Sequence, residues 1–195
     1  WPTIFQGPFN RIDEFVKHFE EEIGFNYDSF MHGIQRFVWG AFKKLVIAQR
    51  LDIFVSAVFD NVTGKGGVYV VLATVAYAIQ LYADFSGFMD MMLGVSSTFG
   101  IELPENFKQP YFSRTISEFW RRWHITLGFW FRDYVMFPFV SCRPVKKLGK
   151  QVRKRNKHLG KVLPVVLGTL LVWLLTGLWH ELSLNYFIWG MYYAI

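Results

Sequence analysis

The sequence has almost no cysteine and few charged residues. Its single cysteine, Cys142, excludes an internal disulfide and any CxxC metal or redox motif. Only 18% of the 195 residues are charged and 52% are hydrophobic, whereas about a quarter of the residues in soluble domains are charged. Residues 66–83 and 162–179 contain no charged side chain at all. Apolar runs of about 18 residues are typical of transmembrane helices, so the sequence predicts a membrane protein.

Two common catalytic motifs are also missing. The five histidines never show the HExxH spacing of zinc enzymes, and we therefore expect no metal site. Gly64-Lys65 does not belong to a G-x-x-x-x-G-K-[ST] phosphate loop. These absences disfavour the zinc hydrolases and the P-loop nucleotide-binding proteins.

Acidic residues are absent from residues 143–161, although this segment has nine lysines and arginines. A short basic loop beside an apolar run marks the cytoplasmic side of a membrane protein. A nucleic-acid-binding patch is the alternative, and the adjoining apolar run disfavours it. We therefore expect the lipid bilayer, and no nucleic acid, as a partner of this segment. The nine residues are Arg143, Lys146, Lys147, Lys150, Arg153, Lys154, Arg155, Lys157 and Lys161.

Two amphipathic helices are predicted before the first apolar run. Residues 11–23 form a short acidic helix, and residues 30–60 form a long helix capped by Asp28 or Ser29. The segment "NVTGKGGV" ends the long helix. The chain starts without methionine and stops in an apolar segment, so we interpret residues 1–195 as the central part of one longer multi-pass domain. The apolar stripe of the long helix consists of Phe30, Ile34, Phe37, Ala41, Leu45, Ala48 and Val55.

The segment "TISEFWRRWHITLGFWFRDYVMFPF" mixes charged and aromatic residues. Its charges are too dense for an ordinary membrane span, and its aromatic side chains are too many for a water-exposed helix. A helix that lines a polar cavity, or a re-entrant segment, meets both demands. Glu118 precedes Arg122 by four residues, which favours an ion pair on a helix. If the helix is continuous, Arg121 and Arg132 share a face with Gly128.

Two tryptophan–histidine pairs, Trp123-His124 and Trp179-His180, lie in apolar surroundings. If the helix over this segment is continuous, His124 faces an aromatic-lined surface. An ionisable residue at membrane depth costs a few kcal/mol, so such residues are functional candidates, and we predict that both histidines meet in one interior site. The alternative is that His180 and Glu181 cap one helix where it turns into the next. Side chains of adjacent residues do not face each other on a helix, so Glu181 is a poor candidate for orienting His180.

Long motifs resemble those of a known family. The segments are "YADFSGFMDMMLG", "LPENFKQPYFSRTISEFWRRWHITLGFWFRDYV" and "VWLLTGLWHELSLNYFIWGMY", with "FQGPFNR" and "GAFKKLVIAQRL" before them. Together they resemble the membrane-bound O-acyltransferase (MBOAT) family, in its branch of bacterial alginate O-acetylation and D-alanyl transfer proteins. The resemblance runs from about residue 4 to the end, and the branch usually has glycine where this chain has Glu181.

The resemblance implies an all-α, multi-pass membrane protein with interfacial and re-entrant helices around a buried tunnel. It implies transfer of an acyl group, first of all acetyl, from a thioester to hydroxyls of an extracellular or cell-wall polysaccharide. The family's essential histidine falls on His180, the expected catalytic base, and its second polar position falls on His124. His124 would orient the substrate or polarise the thioester carbonyl. The expected tunnel residues are Trp123, Arg121, Arg132, Asp84 and Trp179.

The resemblance also implies partners. The acyl donor is a co-substrate, either acetyl-CoA or the phosphopantetheine thioester of a carrier protein, and no cofactor stays bound. An extracytoplasmic acetyltransferase or an acyl carrier protein is the expected partner, in a bacterial cytoplasmic membrane. D-alanyl transfer to teichoic acid is the nearest alternative. A transporter with His124 and His180 as a proton relay is an alternative of another class.

Overall fold

The computed structural model describes residues 24–194, and the helix predicted over residues 11–23 lies outside the described residues. The described part is helical and contains no strand, which confirms the all-α prediction. The chain divides between Thr126 and Leu127 into two compact units.

The first unit begins with one long helical run. It consists of α1 (Tyr27–Phe42), a π-helical segment (Lys43–Ala48) and α2 (Gln49–Phe59), so the helix predicted over residues 30–60 is confirmed. The predicted caps, Asp28 and Ser29, are wrong. The N-cap is Asn26, whose side-chain oxygen accepts a hydrogen bond of 3.0 Å from the backbone N–H of Ser29. Asparagine is among the strongest N-caps because its short amide reaches this N–H.

Helix α1 packs closely against α3 (Gly67–Thr98) through glycines on both helices. A Cβ added to Gly33 would lie 2.6 Å from the carbonyl oxygen of Gly94, and one added to Gly40 would lie 2.5 Å from that of Gly87. The glycines are seven residues apart on each helix, about two turns, so both contacts fall on one face. The two backbones can approach this closely only because no side chain separates them.

The buried face of the long helical run differs from the predicted apolar stripe. Ala48 and Val55 are buried as predicted, whereas Ile34, Phe37 and Leu45 are exposed. The predicted stripe is wrong because large apolar side chains do not form the helix contact. The contact is instead made by glycines, which carry no apolar signal.

Within residues 24–194, two helices are long and apolar enough to cross a membrane, judged by length and composition. Helix α3 has 32 residues and α8 (Leu159–His180) has 22. At 1.5 Å per residue their lengths are about 48 and 33 Å, both at least the roughly 30 Å of a hydrocarbon core. Aliphatic residues of α3 such as Val68, Val71 and Leu72 are exposed. This pattern fits a helix that faces lipid rather than one buried in a soluble core.

The remaining elements are shorter. Short 3₁₀ turns lie at Val62–Gly64 and Pro110–Phe112, and a second π-helical segment lies at Arg132–Met136. The other helices are α4 (Ile116–Arg122), α5 (Ile125–Phe131), α6 (Phe137–Ser141), α7 (Arg143–Arg155) and α9 (Leu184–Ala194).

The basic segment predicted as a loop is mostly helix α7, so that prediction is wrong. Proline is well tolerated in a first helical turn, and lysine and arginine are good helix formers. Gly149 and Val145 are buried on one side of α7, and an added Cβ at Gly149 would lie 3.0 Å from the ring of Pro164 in α8. The basic side chains therefore occupy the other faces of a docked helix.

Candidate active site

The segment that contains His124 is not one continuous helix. Helix α4 ends at Arg122, α5 begins at Ile125, and His124 between them has a left-handed φ of 45°. Non-glycine residues in this region are uncommon, although histidine enters it more often than most. The helix faces predicted for Arg121, Arg132 and His124 assumed a continuous helix, so those predictions are wrong.

Asn106, in the loop before α4, holds this break in place. Its backbone carbonyl oxygen accepts a hydrogen bond from the N–H of Ile125 (3.0 Å). Its side-chain Oδ1 accepts one from the N–H of Thr126 (3.1 Å). These are two of the N–H groups that a helix start leaves without an intrahelical partner. Two residues on, the N–H of Lys108 donates to the carbonyl oxygen of Arg122 (2.9 Å) at the end of α4. One loop thus caps both sides of the turn.

His124 is buried beside the same loop. Its Nδ1 lies 3.1 Å from Oδ1 of Asn106, and its ring meets the ring of Phe85 edge-on with centroids 4.8 Å apart. Trp123, a predicted tunnel residue, packs its indole against Phe107 at 5.0 Å and stacks on Phe119 at 5.6 Å. The expected aromatic surroundings of His124 are present, and one ring contact comes from Phe85 of α3.

Helix α4 starts with a capping arrangement that the sequence contains as T-x-x-E. Thr115 Oγ1 accepts from the N–H of Glu118 (3.1 Å), and the Glu118 carboxylate accepts from the N–H of Arg114 (2.9 Å). The predicted ion pair is confirmed, with Arg122 Nη2 at 2.6 Å from Glu118 Oε1. The backbone hydrogen bond from Arg114 first, and the charge of Arg122 after it, lower the pKa of Glu118 below its ordinary value, against the opposing effect of burial.

A cavity of about 350 Å³ adjoins Asn106 in the first unit. Charged residues from α1, the π-helical segment, α3 and the loop line it: Arg36, Lys43, Asp90, Glu105 and Lys108. Four of these groups, from Arg36, Lys43, Asp90 and Glu105, pair with one another in the cavity wall. Lys43 Nζ lies 2.5 Å from Asp90 Oδ2 and donates to Ser86 Oγ at 2.9 Å, and the Arg36 guanidinium contacts both Asp90 and Glu105.

Asp84, a predicted tunnel residue, is ion-paired with Lys44 in the first unit. Sequence analysis missed Arg36, Asp90, Glu105 and Asn106. The only signal for Arg36 and Asp90 was that charged residues interrupt otherwise apolar helices, and nothing in the local sequence marked Glu105 or Asn106.

His180 belongs to the second unit and is the last residue of α8. Its ring stacks on Tyr186 (5.7 Å, 12° between planes) and meets Trp179 and Trp189 edge-on at 4.9 and 5.5 Å. The predicted tunnel residue Trp179 is thus a direct neighbour of the predicted base. Three aromatic rings from α8 and α9 surround the imidazole.

Glu181 is the C-cap of α8, with its N–H donating to the carbonyl oxygen of Gly177 at 3.3 Å. Its φ of −166° is extended backbone that any residue adopts. His180 and Glu181 therefore do lie where one helix turns into the next, as the capping alternative states. That placement is compatible with a catalytic His180 at the helix end.

The predicted tunnel arginines lie on different elements. Arg121 is exposed on α4 in the first unit. Arg132 opens the π-helical segment of the second unit, where it pairs with Asp133 (2.8 Å) and lies over the ring of Phe129 (4.7 Å). A tunnel role for either arginine stays a prediction, as does the meeting of His124 and His180 in one site.

The chain belongs to the membrane-bound O-acyltransferase family, whose sequence profile matches residues 2–195. It is therefore part of a membrane protein, in agreement with the two apolar helices.

Individual relatives match over the whole chain. It is 36% identical to a protein named "Probable alginate O-acetylase AlgI" of Pseudomonas syringae pv. tomato and covers 34% of that protein. It is 34% identical to a peptidoglycan O-acetyltransferase of Helicobacter pylori, covering 34% of it, and 32% identical to a teichoic acid D-alanyltransferase of Bacillus subtilis, covering 48%. The chain thus spans about a third to a half of the length of these relatives.

Proposed function

We propose that the full-length protein is an O-acyltransferase that moves an acyl group, first of all acetyl, from a thioester toward hydroxyls of an extracellular or cell-wall polysaccharide. The observation that carries this proposal is that three relatives with different named acceptors match the same 195 residues. Their names share acyl transfer and differ in the polymer. The sequence that these relatives share with this chain is therefore best explained by the acyl-transfer step that their names have in common. The match to an acyltransferase profile also favours an enzyme over a transporter.

The proposed chemistry uses His180 as a general base. The acceptor hydroxyl attacks the thioester carbonyl carbon, so that a C–O bond forms and the C–S bond breaks. The hydroxyl proton passes to the His180 imidazole and then to the leaving thiolate. A hydroxyl is a weak nucleophile near neutral pH, and a well-placed imidazole base contributes about 10²–10⁴-fold. The aromatic rings around His180 fix its orientation and leave it at a helix end that a substrate could reach.

The donor, in this proposal, is a cytoplasmic thioester, either acetyl-CoA or a phosphopantetheine thioester on an acyl carrier protein. The protein resides in a bacterial cytoplasmic membrane as a multi-pass protein and works with an extracytoplasmic acetyltransferase or with the carrier protein. The basic faces of α7 suit the anionic headgroups of a cytoplasmic leaflet. D-alanyl transfer is the second candidate, favoured by the match to the Bacillus subtilis relative.

Membranes that contain the full-length protein test this proposal. They are supplied with acetyl-CoA or with a D-alanyl carrier-protein thioester, and acyl-ester formation on polysaccharide or on a soluble sugar acceptor is measured. The proposal expects that one thioester supports more acyl transfer in these membranes than in membranes without the protein. Transfer with acetyl-CoA supports the first candidate, and transfer only with the carrier thioester supports the second. Absence of transfer with both donors, in membranes where the protein is inserted, would contradict the proposed function.

A further inference from the structure

A single side-chain atom, Oδ1 of Asn106, receives three hydrogen bonds. The donors are the N–H of Thr126 at 3.1 Å, the hydroxyl of Thr126 at 2.9 Å, and Nδ1 of His124 at 3.1 Å. The Asn106 side chain is fully buried, with 0% of its surface exposed. A buried oxygen of this kind would cost free energy if it were left without its partners.

The backbone N–H of Thr126 shows which atom of the Asn106 amide faces it. An N–H can only donate, so the atom facing it is the carbonyl oxygen of the Asn106 amide and not its NH₂ group. The same oxygen faces Nδ1 of His124, and an oxygen of this kind can only accept. Nδ1 of His124 therefore carries a proton. When the ring is neutral, its other nitrogen, Nε2, holds the lone pair and can only accept a hydrogen bond.

We propose that Asn106 is a positioning residue that fixes His124 as the Nδ1-protonated tautomer, whose Nε2 accepts a hydrogen bond from a second hydroxyl of the incoming acceptor, while the attacking hydroxyl gives its proton to His180. This inference rests on the proposed acyl transfer and selects between the two roles expected for His124. Polarising the thioester carbonyl needs a donor at Nε2, which the neutral ring held by Asn106 does not offer. Orienting the substrate through a neighbouring hydroxyl needs a hydrogen-bond acceptor at Nε2, which this neutral tautomer offers.

A purely structural role for Asn106 is the competing explanation, because the residue also caps α5 through Ile125 and Thr126. Three substitutions separate the roles. Asn106→Asp keeps an acceptor oxygen for Thr126 and for His124 but places a negative charge beside the imidazole. Thr126→Val removes one hydrogen bond to Asn106 Oδ1 and leaves the bond to His124. Asn106→Leu removes the side-chain acceptor while keeping a similar volume and the backbone carbonyl that accepts from Ile125.

The experiment measures kcat and KM of acyl transfer by the full-length protein as a function of pH, with the thioester that supports wild-type transfer. A carboxylate favours the protonated imidazole, so in Asn106→Asp the acidic limb of the pH profile should move up by about one pH unit. Asn106→Leu should lose about 10- to 100-fold in kcat with KM little changed, the size of loss seen when the partner that orients a metal-bound histidine is removed. Thr126→Val should keep both the kcat and the pH profile of the wild type.

Other charged groups near the turn do not alter the comparison of the pH profiles. The charged groups of the cavity that Asn106 also lines are Arg36, Lys43, Asp90, Glu105 and Lys108, and they are the same in all variants. A shift between variants therefore reports the change at residue 106.

The inference is overturned if the Asn106→Asp profile superimposes on that of the wild type, or if an inserted Asn106→Leu protein keeps its kcat. If Asn106→Leu fails to insert, the Asn106→Asp profile decides alone. A wild-type protein that transfers from no thioester would overturn the proposed function and this inference with it. An active wild type with unaltered Asn106 variants would overturn the positioning role only.

Discussion

Arg36 and Glu105 lie 69 residues apart in the sequence and form a bidentate ion pair. Nη1 and Nη2 of the guanidinium each donate to a different carboxylate oxygen of Glu105, both at 2.6 Å. The same guanidinium donates through Nε and Nη2 to Asp90 Oδ1, at 3.1 and 2.9 Å. This pairing ties the loop that carries Asn106 to α1 and α3. The position of the His124 turn therefore depends on a residue near the start of the described chain.

Removing Arg36 should destabilise the protein more than removing an exposed pair does. In Arg36→Leu the poorly exposed Asp90 keeps Lys43 but loses the guanidinium, and leaving such a group under-paired costs about 1–3 kcal/mol. The control is Lys44→Met, whose partner Asp84 is half exposed and whose pair should contribute about 0–1 kcal/mol. Thermal unfolding of the detergent-solubilised protein measures both. Equal melting temperatures for the two variants would show that Arg36 does not hold the loop.

The glycine contact between α1 and α3 should be intolerant of any side chain. Gly40→Ala places a Cβ against the carbonyl oxygen of Gly87, which cannot move without its helix, and overpacking of this kind costs about 1–3 kcal/mol. Gly128→Ala is the matched control, because a Cβ there meets nothing within 4 Å, and it should leave the melting temperature unchanged or slightly raised. A Gly40→Ala protein as stable as wild type would mean that the helices are not in such close contact.

The capping arrangement of α4 predicts a pH-dependent contribution to stability. The folded-state pKa of Glu118 is lowered, so its stabilisation is present above the pKa of the unfolded chain and is lost as pH falls through the folded-state value. Glu118→Gln should therefore melt below wild type at neutral pH, and the difference should shrink below about pH 4. Melting curves of both proteins across this range provide the measurement. A difference that stays constant down to acid pH would contradict the role of the charge.

The basic helix α7 should face the cytoplasm. An impermeant thiol reagent applied to intact cells should fail to label Lys150→Cys in a Cys142→Ala background, and permeabilised cells should be labelled. Lys150 is exposed, so access within the protein does not limit the reaction. Labelling of Lys150→Cys in intact cells would reverse the proposed orientation.

The sequence predicted the elements that depend on local pattern. The two uncharged runs became α3 and α8, the long helix before them formed, and Glu118 paired with Arg122. In each case the signal was length, apolar content or a spacing of four residues within one element. Such features are visible without knowing what packs where.

The turn at His124 could not be predicted in this way. Nothing in the local pattern of residues 115–139 ends a helix at Arg122, because the break is stabilised by Asn106 and Lys108 from a preceding loop. The glycine contact was hidden for a related reason, since glycine contributes nothing to a hydrophobic periodicity. Contacts between residues distant in sequence decided both.

His180→Gln in the full-length protein tests the central claim most directly. Glutamine keeps part of the volume and hydrogen bonding of histidine but cannot act as a base. Acyl transfer should therefore fall by at least about 100-fold, with insertion and yield unchanged, and His124→Ala should also be impaired. The matched control is Glu181→Gly, which changes the adjacent C-cap without touching the base and should retain activity. Near-normal transfer by His180→Gln, above all together with loss of transfer in Glu181→Gly, would contradict the assignment of His180 as the base.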